Sequence, residues 1–263
     1  MERAAKVRSP VSNSLFLSPM KYSAVPFLAL VLVGSAAWAD PATDGQWHGA
    51  ISLGGSLSSG NARNRVLTGI GDMAQATKED KISLFGQVNY GATAGANGPR
   101  TTTADQLRLG GRYDRELGND VFAFGLGEYQ TNKITGLRSR ESAQLGAGYH
   151  VLKDAANTFD IFAGLGYAHA TYTALPSGSG LVTLLGEEST HQLSATSAFK
   201  QRFVAQFSGN ELGRLYTWDL SLATAIAGGW TSNVGLSIRN ASLVAPGAKK
   251  TDTLLTVGLG YKF

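Results

Sequence analysis

The side chains of this 263-residue chain that could do chemistry are four histidines, 23 basic and 19 acidic groups and many hydroxyls; there is no cysteine. That absence removes disulfides, thiolate nucleophiles and Cys-ligated metals. On a strand, residues two apart face the same side, so a His-x-Ser pair would let an imidazole activate a hydroxyl. His48, His150, His169 and His191 are followed at that spacing by Ala50, Leu152, Thr171 and Leu193. Only His169 with Thr171 approaches the pattern, and no acid stands nearby to orient the ring. The Asp-x-His and Asp-x-Asp pairs that would activate a water are missing. Asp114-x-Glu116 comes nearest, and with Arg112 and Arg115 beside it reads as a charge pair of a lumen or turn. The histidines lack metal-ligand spacing. Gly125-Leu126-Gly127, Gly146-Ala147-Gly148, Gly164-Leu165-Gly166 and Gly258-Leu259-Gly260 lack the third glycine of a dinucleotide fingerprint. Gly69-Ile70-Gly71 with Ala74 lies inside a strand pattern with no helix after it, which points to a bend or to packing. No catalytic residue, no metal and no cofactor are expected.

The elements that position these groups have period two. Trp47, Ile51, Leu53 and Leu57 alternate with Gln46, His48, Ser52 and Ser56. Leu107, Leu109, Tyr113 and Leu117 lie opposite Gln106, Arg108, Arg112 and Glu116. Continued along the chain, this predicts strands near 46–58, 63–76, 81–91, 102–117, 121–131, 139–150, 158–172, 185–194, 197–207, 214–227, 230–241 and 251–263. Alternation is poor in the second and fifth, and the hairpin at Ser194 to Thr196 is weakly marked, so both twelve and ten strands fit. Short connections at Thr77 to Asp80, Gly118 to Asp120, Val151 to Asn157, Ala195-Thr196 and Gly228-Gly229 alternate with long ones at Ala92 to Thr101, Asn132 to Arg138, Thr173 to Leu184, Ser208 to Gly213 and Ser242 to Lys250. Such asymmetry belongs to a barrel with one plain and one elaborated end. Pro99, Pro176 and Pro246 lie in the long connections, where no ladder N–H is needed.

Alternation alone does not say which face meets water. The strands reach the roughly 9 to 11 residues that cross a bilayer and are too many for a small soluble barrel. Trp47, Tyr90, Tyr113, Phe122, Tyr149, Tyr172, Trp230 and Tyr261 lie near strand ends, as interfacial girdles require. Leu255, Val257, Leu259, Tyr261 and Phe263 form an alternating apolar face ending on a carboxy-terminal Phe, which looks like the signature by which outer-membrane barrels engage their assembly machinery. The fold class expected is an all-β, closed antiparallel transmembrane β-barrel of about 12 strands, with oily side chains outward and the hydrophilic set inward.

Arg108, Arg112, Asp219 and Arg239 then have lumen parity and either line a narrow anion-tolerant pore or hold a filled interior together. Arg63, Arg100, Lys133, Arg138, Arg214, Lys249 and Lys250 map to the long loops, where they either meet lipopolysaccharide phosphates or are solvated charge. Residues 1–39 read as an N-terminal extension with a cleaved signal peptide: Lys21, an apolar stretch from Ala24 to Ala37, then Ala37-Trp38-Ala39 before Asp40. Met20 could open that signal as well as Met1. Residues 40–263 are the barrel. The leader holds four bases and one acid of the chain's totals, leaving 19 bases and 18 acids, so the net charge of +4 gives no footprint for nucleic acid.

The segments Trp47-His48-Gly49-Ala50-Ile51-Ser52-Leu53 into Ser59-Gly60-Asn61, Asp105-Gln106-Leu107-Arg108-Leu109-Gly110-Gly111-Arg112-Tyr113-Asp114, and Lys249-Lys250-Thr251-Asp252-Thr253 through Tyr261-Lys262-Phe263 are similar to those of the salt-induced outer-membrane protein family, described chiefly as of unknown function. The resemblance implies an uncharacterised Gram-negative cell-envelope barrel, located in the cell outer membrane, and brings no catalytic residues with it. The expected role is envelope integrity under salt or osmotic stress, or a narrow passive pore. The expected partners are outer-membrane lipid, lipopolysaccharide and the barrel assembly machinery, with the chain monomeric and not an enzyme. The alternatives are an outer-membrane lipid-modifying or proteolytic barrel enzyme and a soluble periplasmic lipid-binding β-barrel.

Overall fold

A computed structural model describes residues 43–58, 62–95, 98–154, 156–209 and 211–263. The leader at 1–39 and Ser59-Gly60-Asn61 fall outside them, as does the side chain of Arg63. Twelve strands follow one another: β1 (Trp47–Ser58), β2 (Ala62–Ala76), β3 (Asp80–Gly95), β4 (Thr101–Glu116), β5 (Val121–Asn132), β6 (Leu137–Lys153), β7 (Asn157–Tyr172), β8 (Gly178–Gln192), β9 (Ser197–Ser208), β10 (Arg214–Ala227), β11 (Trp230–Ala241) and β12 (Thr251–Lys262). Each pairs antiparallel with the next, and β12 returns to β1 to close the barrel. At the seam Ala50 to Leu53 pair with Lys262 to Leu259, and Gly49 and Phe263 exchange backbone hydrogen bonds of 3.1 and 3.0 Å. Closure removes the edge that so apolar a last strand would otherwise expose.

The period-two pattern becomes two faces. Outside, Ile51, Leu53, Leu84, Leu109, Leu145, Leu165, Leu181 and Leu255 are all exposed, Leu181 by 77%. Inside, Ser52, Thr68, Asp72, Asn89, Arg112, Glu128, Arg140 and Gln144 are buried. A water-soluble barrel would put these sets the other way round. At the end carrying the short turns, Trp47, Tyr113, Tyr149, Trp230 and Tyr261 face outward, the last two edge to face at 5.5 Å. Tyr90, Tyr129, Tyr167 and Trp218 do so toward the other end.

Two aromatics assigned to the girdles point inward instead. Phe122 is 2% exposed and Tyr172 is 9% exposed. For Phe122 the reason is local: Phe122, Phe124 and Leu126 fill the inner face of β5 while Val121 and Tyr129 cover the outer one, so apolar residues on both faces erase the alternation that would have fixed its parity. Tyr172 shares the inward parity of Ala168 and Ala170 on β7 and packs with them. Four of the five long connections are also shorter than expected. β8 starts at Gly178, so 173–184 shrinks to 173–177, and the others shorten to 96–100, 133–136 and 209–213, while 242–250 is as expected. Gly178-Ser179-Gly180 has the composition of a loop, yet Gly178 pairs with Ala170 and the Tyr167 hydroxyl lies 3.0 Å from Ser179 Oγ. At the turn end the connections are 77–79, 117–120, 154–156, 193–196 and 228–229.

Candidate functional site: the lumen

The interior is filled on one side and open on the other. Along β5–β9, Phe122, Phe124, Leu126, Phe162, Leu184 and Val204 form one buried cluster. A second, made by Leu137, Ala168, Ala170, Tyr172, Val182 and Leu212, sits toward the loop end with Leu175 and Leu243 against it. The sequence makes this possible by facing large residues with glycine. Phe85 pairs across the ladder with Gly110, Phe122 with Gly148, Phe124 with Gly146 and Phe162 with Gly186. Each ring lies where the glycine's missing side chain would be: a Cβ on Gly110 or Gly148 would fall 2.1 Å from a ring carbon. Glycines that would weaken an ordinary sheet are thus covered by the phenyl ring of the next strand.

Three arginines lie against these rings and are held by acids. Arg112 on β4 lies 4.8 to 5.5 Å from the centroids of Phe124, Phe162 and Phe122 and pairs with Asp114 at 2.7 Å and Glu188 at 3.4 Å. Arg202 on β9 shares Glu188 at 3.5 Å and lies over Phe162. Arg108 lies 5.3 Å from the centre of Phe85 and spans the lumen, bonding Glu128 of β5 at 3.0 Å and Asp219 of β10 at 3.4 Å. Asp219 also accepts a bond of 2.6 Å from Ser237. A guanidinium on an aromatic face with a carboxylate at its edge is a fixed arrangement.

The open side runs along β2–β4 and β10–β12, and in the turn-end half it also reaches the inner faces of β7–β9. A cavity of about 240 Å³ occupies the turn-end half, lined by Asp72, Lys81, Ser83, Asp160, Lys200 and Thr256 among others. A second, of about 210 Å³, occupies the loop-end half, lined by Asn89, Gln106, Thr131, Thr217 and Arg239. Gln87, Arg108, Ser237 and Leu254 line both, so the two chambers meet at Arg108. The lower chamber is lined by charges of both signs, the upper chiefly by amides and hydroxyls.

All four residues singled out for lumen parity, Arg108, Arg112, Asp219 and Arg239, face inward. Arg108 and Asp219 meet directly; Arg112 lies nearer the turn end, and Arg239 lies nearer the loop end, where it bonds Gln130. Leu255, Leu259 and Tyr261 are exposed on the outer wall and Val257 is partly covered there. Asp114 and Glu116 both face in, Glu116 meeting His150 and Lys153, whereas Arg115 lies outside against Asp80 and Glu79. His169 and Thr171, 3.4 Å apart, are on the exposed outer face toward the loop end. Arg100, Lys133, Arg138, Arg214, Lys249 and Lys250 are exposed at that same end, Lys133 paired with Asp105.

Sequence reasoning missed Glu128, Glu188, Arg140 and Arg202, the acids and bases that complete the interior. Part of their signal was present: each is a charge at inward parity on its strand. It also missed His150, held between Asp160 at 2.7 Å and Glu116 at 3.2 Å, although His150 and Asp160 are direct partners in the β6–β7 ladder. Among the described residues no group of three or more His, Asp and Glu is arranged to hold a metal.

Three comparisons place the molecule among known proteins. No curated protein sequence matches the chain. Among solved structures it is similar to the translocator domain of the autotransporter NalP from Neisseria meningitidis, with 16% identity over 82% of this chain and 88% of that one at a TM-score of 0.44. It is similar also to the NanC porin in its rhombohedral crystal form, at 10% identity, 83% and 100% coverage and a TM-score of 0.49. A bacterial polysaccharide outer membrane secretin is likewise similar, at 10% identity, 82% and 96% coverage and a TM-score of 0.38. A family model described as a protein of unknown function, DUF481, matches residues 51–263. This agrees with the resemblance read from the sequence as far as an uncharacterised family goes, and its description says nothing of salt. The chain, matched over most of its length, belongs to the DUF481 family.

Proposed function

We propose that this protein spans the outer membrane as a monomer and provides a narrow, non-enzymatic passage for small polar solutes, running along the β2–β4 and β10–β12 wall. The observation that carries the reading is the pair of chambers meeting at Arg108. Membrane insertion is supported by the outward apolar face, which includes Leu84 and Leu109 at 42% and 47% exposure. In water that face would be an aggregation surface; in lipid it is the required one. The loop end then faces outward from the cell. Its exposed Arg100, Arg138, Arg214, Lys249 and Lys250 suit lipopolysaccharide phosphates.

Two measurements test this. Planar-bilayer recording on refolded protein should give a small, steady conductance with ions of both signs admitted, because the charges along the way are mixed; a barrel that stays silent overturns the passage. Cysteines placed at Leu84, Leu109 and Val257 should resist a water-borne maleimide in the folded, membrane-inserted protein, while one at Gln87 reacts with a small water-borne thiol reagent. Ready labelling of the first three would overturn the bilayer assignment.

A second reading, support of the envelope under osmotic stress without transport, is favoured by the packed β5–β9 side. A silent barrel whose loss makes cells sensitive to high salt would establish it.

A further inference from the structure

Five arginines project into the barrel, Arg112 and Arg140 buried and Arg108, Arg202 and Arg239 half-buried, and two are treated differently from the rest. Arg108, Arg112 and Arg202 each meet a carboxylate within 3.5 Å. Among the described residues, Arg140 on β6 and Arg239 on β11 meet none so closely. Arg140, 4% exposed, donates from Nη2 to the neutral Oε1 of Gln206 at 3.0 Å, and its Nε has no partner among the described residues. Arg239 donates to the neutral Oε1 of Gln130. Asp252, the carboxylate opposite Arg239 in the β11–β12 ladder, accepts instead from Asn132 Nδ2 at 3.0 Å.

A guanidinium withdrawn from water with no carboxylate bonded to its fork is costly to hold. Glutamines placed to accept from it orient its fork and leave its charge unspent. Between the two arginines, beneath the loops after β9 and β11, lies a cavity of about 40 Å³. Its charged lining is Arg140, Arg239, Arg214 and Lys250 against the single acid Asp252. That is room for a few heavy atoms, since a water needs roughly 10 to 15 Å³ by the same measure. Arg239 also lines the upper chamber, so the pocket borders the passage at its loop end.

We propose that Arg140 and Arg239 form a binding site for a small free oxyanion, a carboxylate or a phosphate, at the loop end of the lumen. The anion supplies the charge that Glu128, Asp219 and Glu188 supply lower down, and the glutamines hold both forks ready for bidentate contact. On the passage reading, on which the site's purpose rests, this makes the upper chamber a capture site for anionic solutes. The anion comes from the aqueous side, because both arginines face the lumen and the lipid lies beyond the wall.

Equilibrium dialysis of refolded full-length protein in detergent against labelled inorganic phosphate tests this without requiring conductance. Wild type should show saturable one-site binding, competed by acetate. Arg140→Gln and Arg239→Gln should each weaken it tenfold or more, while Arg115→Gln on the outer face at the turn end leaves it unchanged. Folding of each variant is checked by heat-modifiable migration; should the glutamine forms fail to fold, Arg140→Lys, which keeps the charge and loses the planar fork, should still weaken binding. Absence of saturable binding in wild type, or unchanged affinity in folded Arg140 and Arg239 variants, overturns the site. Displacement of phosphate by lipid A micelles overturns its assignment to a free solute. Binding in a barrel that never conducts would sink the passage and leave the site; conductance without binding would do the reverse.

Discussion

The β5–β9 wall and the β2–β4 with β10–β12 wall meet the same problem in opposite ways. Barrels of about eight strands are just filled by their own side chains, whereas those of sixteen or more hold an open channel; twelve strands lie between. On the first wall the excess space is taken by phenyl rings laid on glycines of the next strand, with loop leucines Leu175, Leu212 and Leu243 closing the loop end. The loops themselves are tied there by Ala245 N–H to the Thr135 carbonyl, Thr173 N–H to the Gly136 carbonyl and Ser242 N–H to the Arg214 carbonyl. The second wall has only one such pair, Phe85 over Gly110. Most of its other inner residues are small or polar, such as Thr68, Ser83, Ser221 and Thr256, and space remains in front of them. The difference teaches that stability and passage are assigned to different strands, so that substitutions on one wall should move one property and leave the other.

The sharpest break of that division is Phe124→Ala. Phe124 is 4% exposed, edge to face with Phe162 at 5.7 Å and stacked on Gly146. Losing it opens a void in the packed wall and should cost about 3 to 5 kcal/mol, read as a lower urea midpoint for unfolding from micelles. Thr256→Ala on the wet wall should cost well under half as much. Equal losses would mean that the two walls are not energetically distinct.

Arg108→Ala strikes where the walls meet. It removes the group shared by both chambers and leaves Glu128, whose side chain is 3% exposed, without its partner. Stability should fall by up to about 3 kcal/mol, the lower end for a broken buried pair because lumen water screens the remainder. Single-channel conductance should rise several-fold, with a shift toward cations, since Asp219 and Glu128 are left unmatched. A stability loss with unchanged conductance would place the constriction elsewhere.

Gly148→Ala asks a smaller question of the packed wall. The new methyl would fall 2.1 Å from the Phe122 ring, which must move against His150, 4.8 Å away. About 1 to 3 kcal/mol should be lost by overpacking. Gly127→Ala on β5, whose Cβ would meet nothing within 4 Å, should be close to neutral in the same unfolding assay.

Much of this architecture is legible in the chain and some is not, for definite reasons. The outward face follows from period two, because a one-residue slip would invert every side chain, whereas twelve strands as against ten turns on the weakly marked hairpin at Ser194 to Thr196. The inward placement of Arg108, Arg112, Asp219 and Arg239 follows from the same parity. Which acid each arginine meets does not. Arg108 reaches Glu128 on the neighbouring strand and Asp219 on the far wall, and the second contact depends on barrel width and stagger, which no local pattern encodes. The phenyl–glycine pairs were hidden for another reason: they need the ladder register, and on β5 they put apolar residues on both faces, the condition under which parity cannot be read. His150 beside Asp160 is hidden likewise, since its meaning lies in a cross-strand pairing and not in any spacing along the chain.

The mildest contrast concerns the turns. The connection after β6, on the packed wall, is closed by Asp154, whose carboxylate accepts from the backbone N–H groups of Ala156 at 2.8 Å and Asn157 at 2.7 Å. These bonds hold its pKa below the ordinary carboxylate value. The corresponding turn after β2, on the wet wall, is closed by Thr77, whose hydroxyl accepts from Glu79 and Asp80 N–H at 3.2 and 3.0 Å. A group whose pKa is depressed by folding stabilises above its unfolded pKa and loses that contribution as pH falls through the folded value. The turn at Asp154 should therefore hold from neutral pH down to about pH 4 and loosen below it. The Thr77 hydroxyl does not titrate, but Glu79 and Asp80 in that turn carry ion pairs to Arg115 that acid also removes. The indifferent reference is therefore the turn at Ser194, whose hydroxyl accepts from Thr196 and Ser197 N–H at 3.3 and 3.1 Å. Amide exchange at Ala156 and Asn157 should accelerate over that range relative to Thr196 and Ser197, and Asp154→Asn should remove the pH dependence. An unchanged ratio of exchange rates across pH 5 to 3 would show that the strands, and not the carboxylate, hold that turn closed.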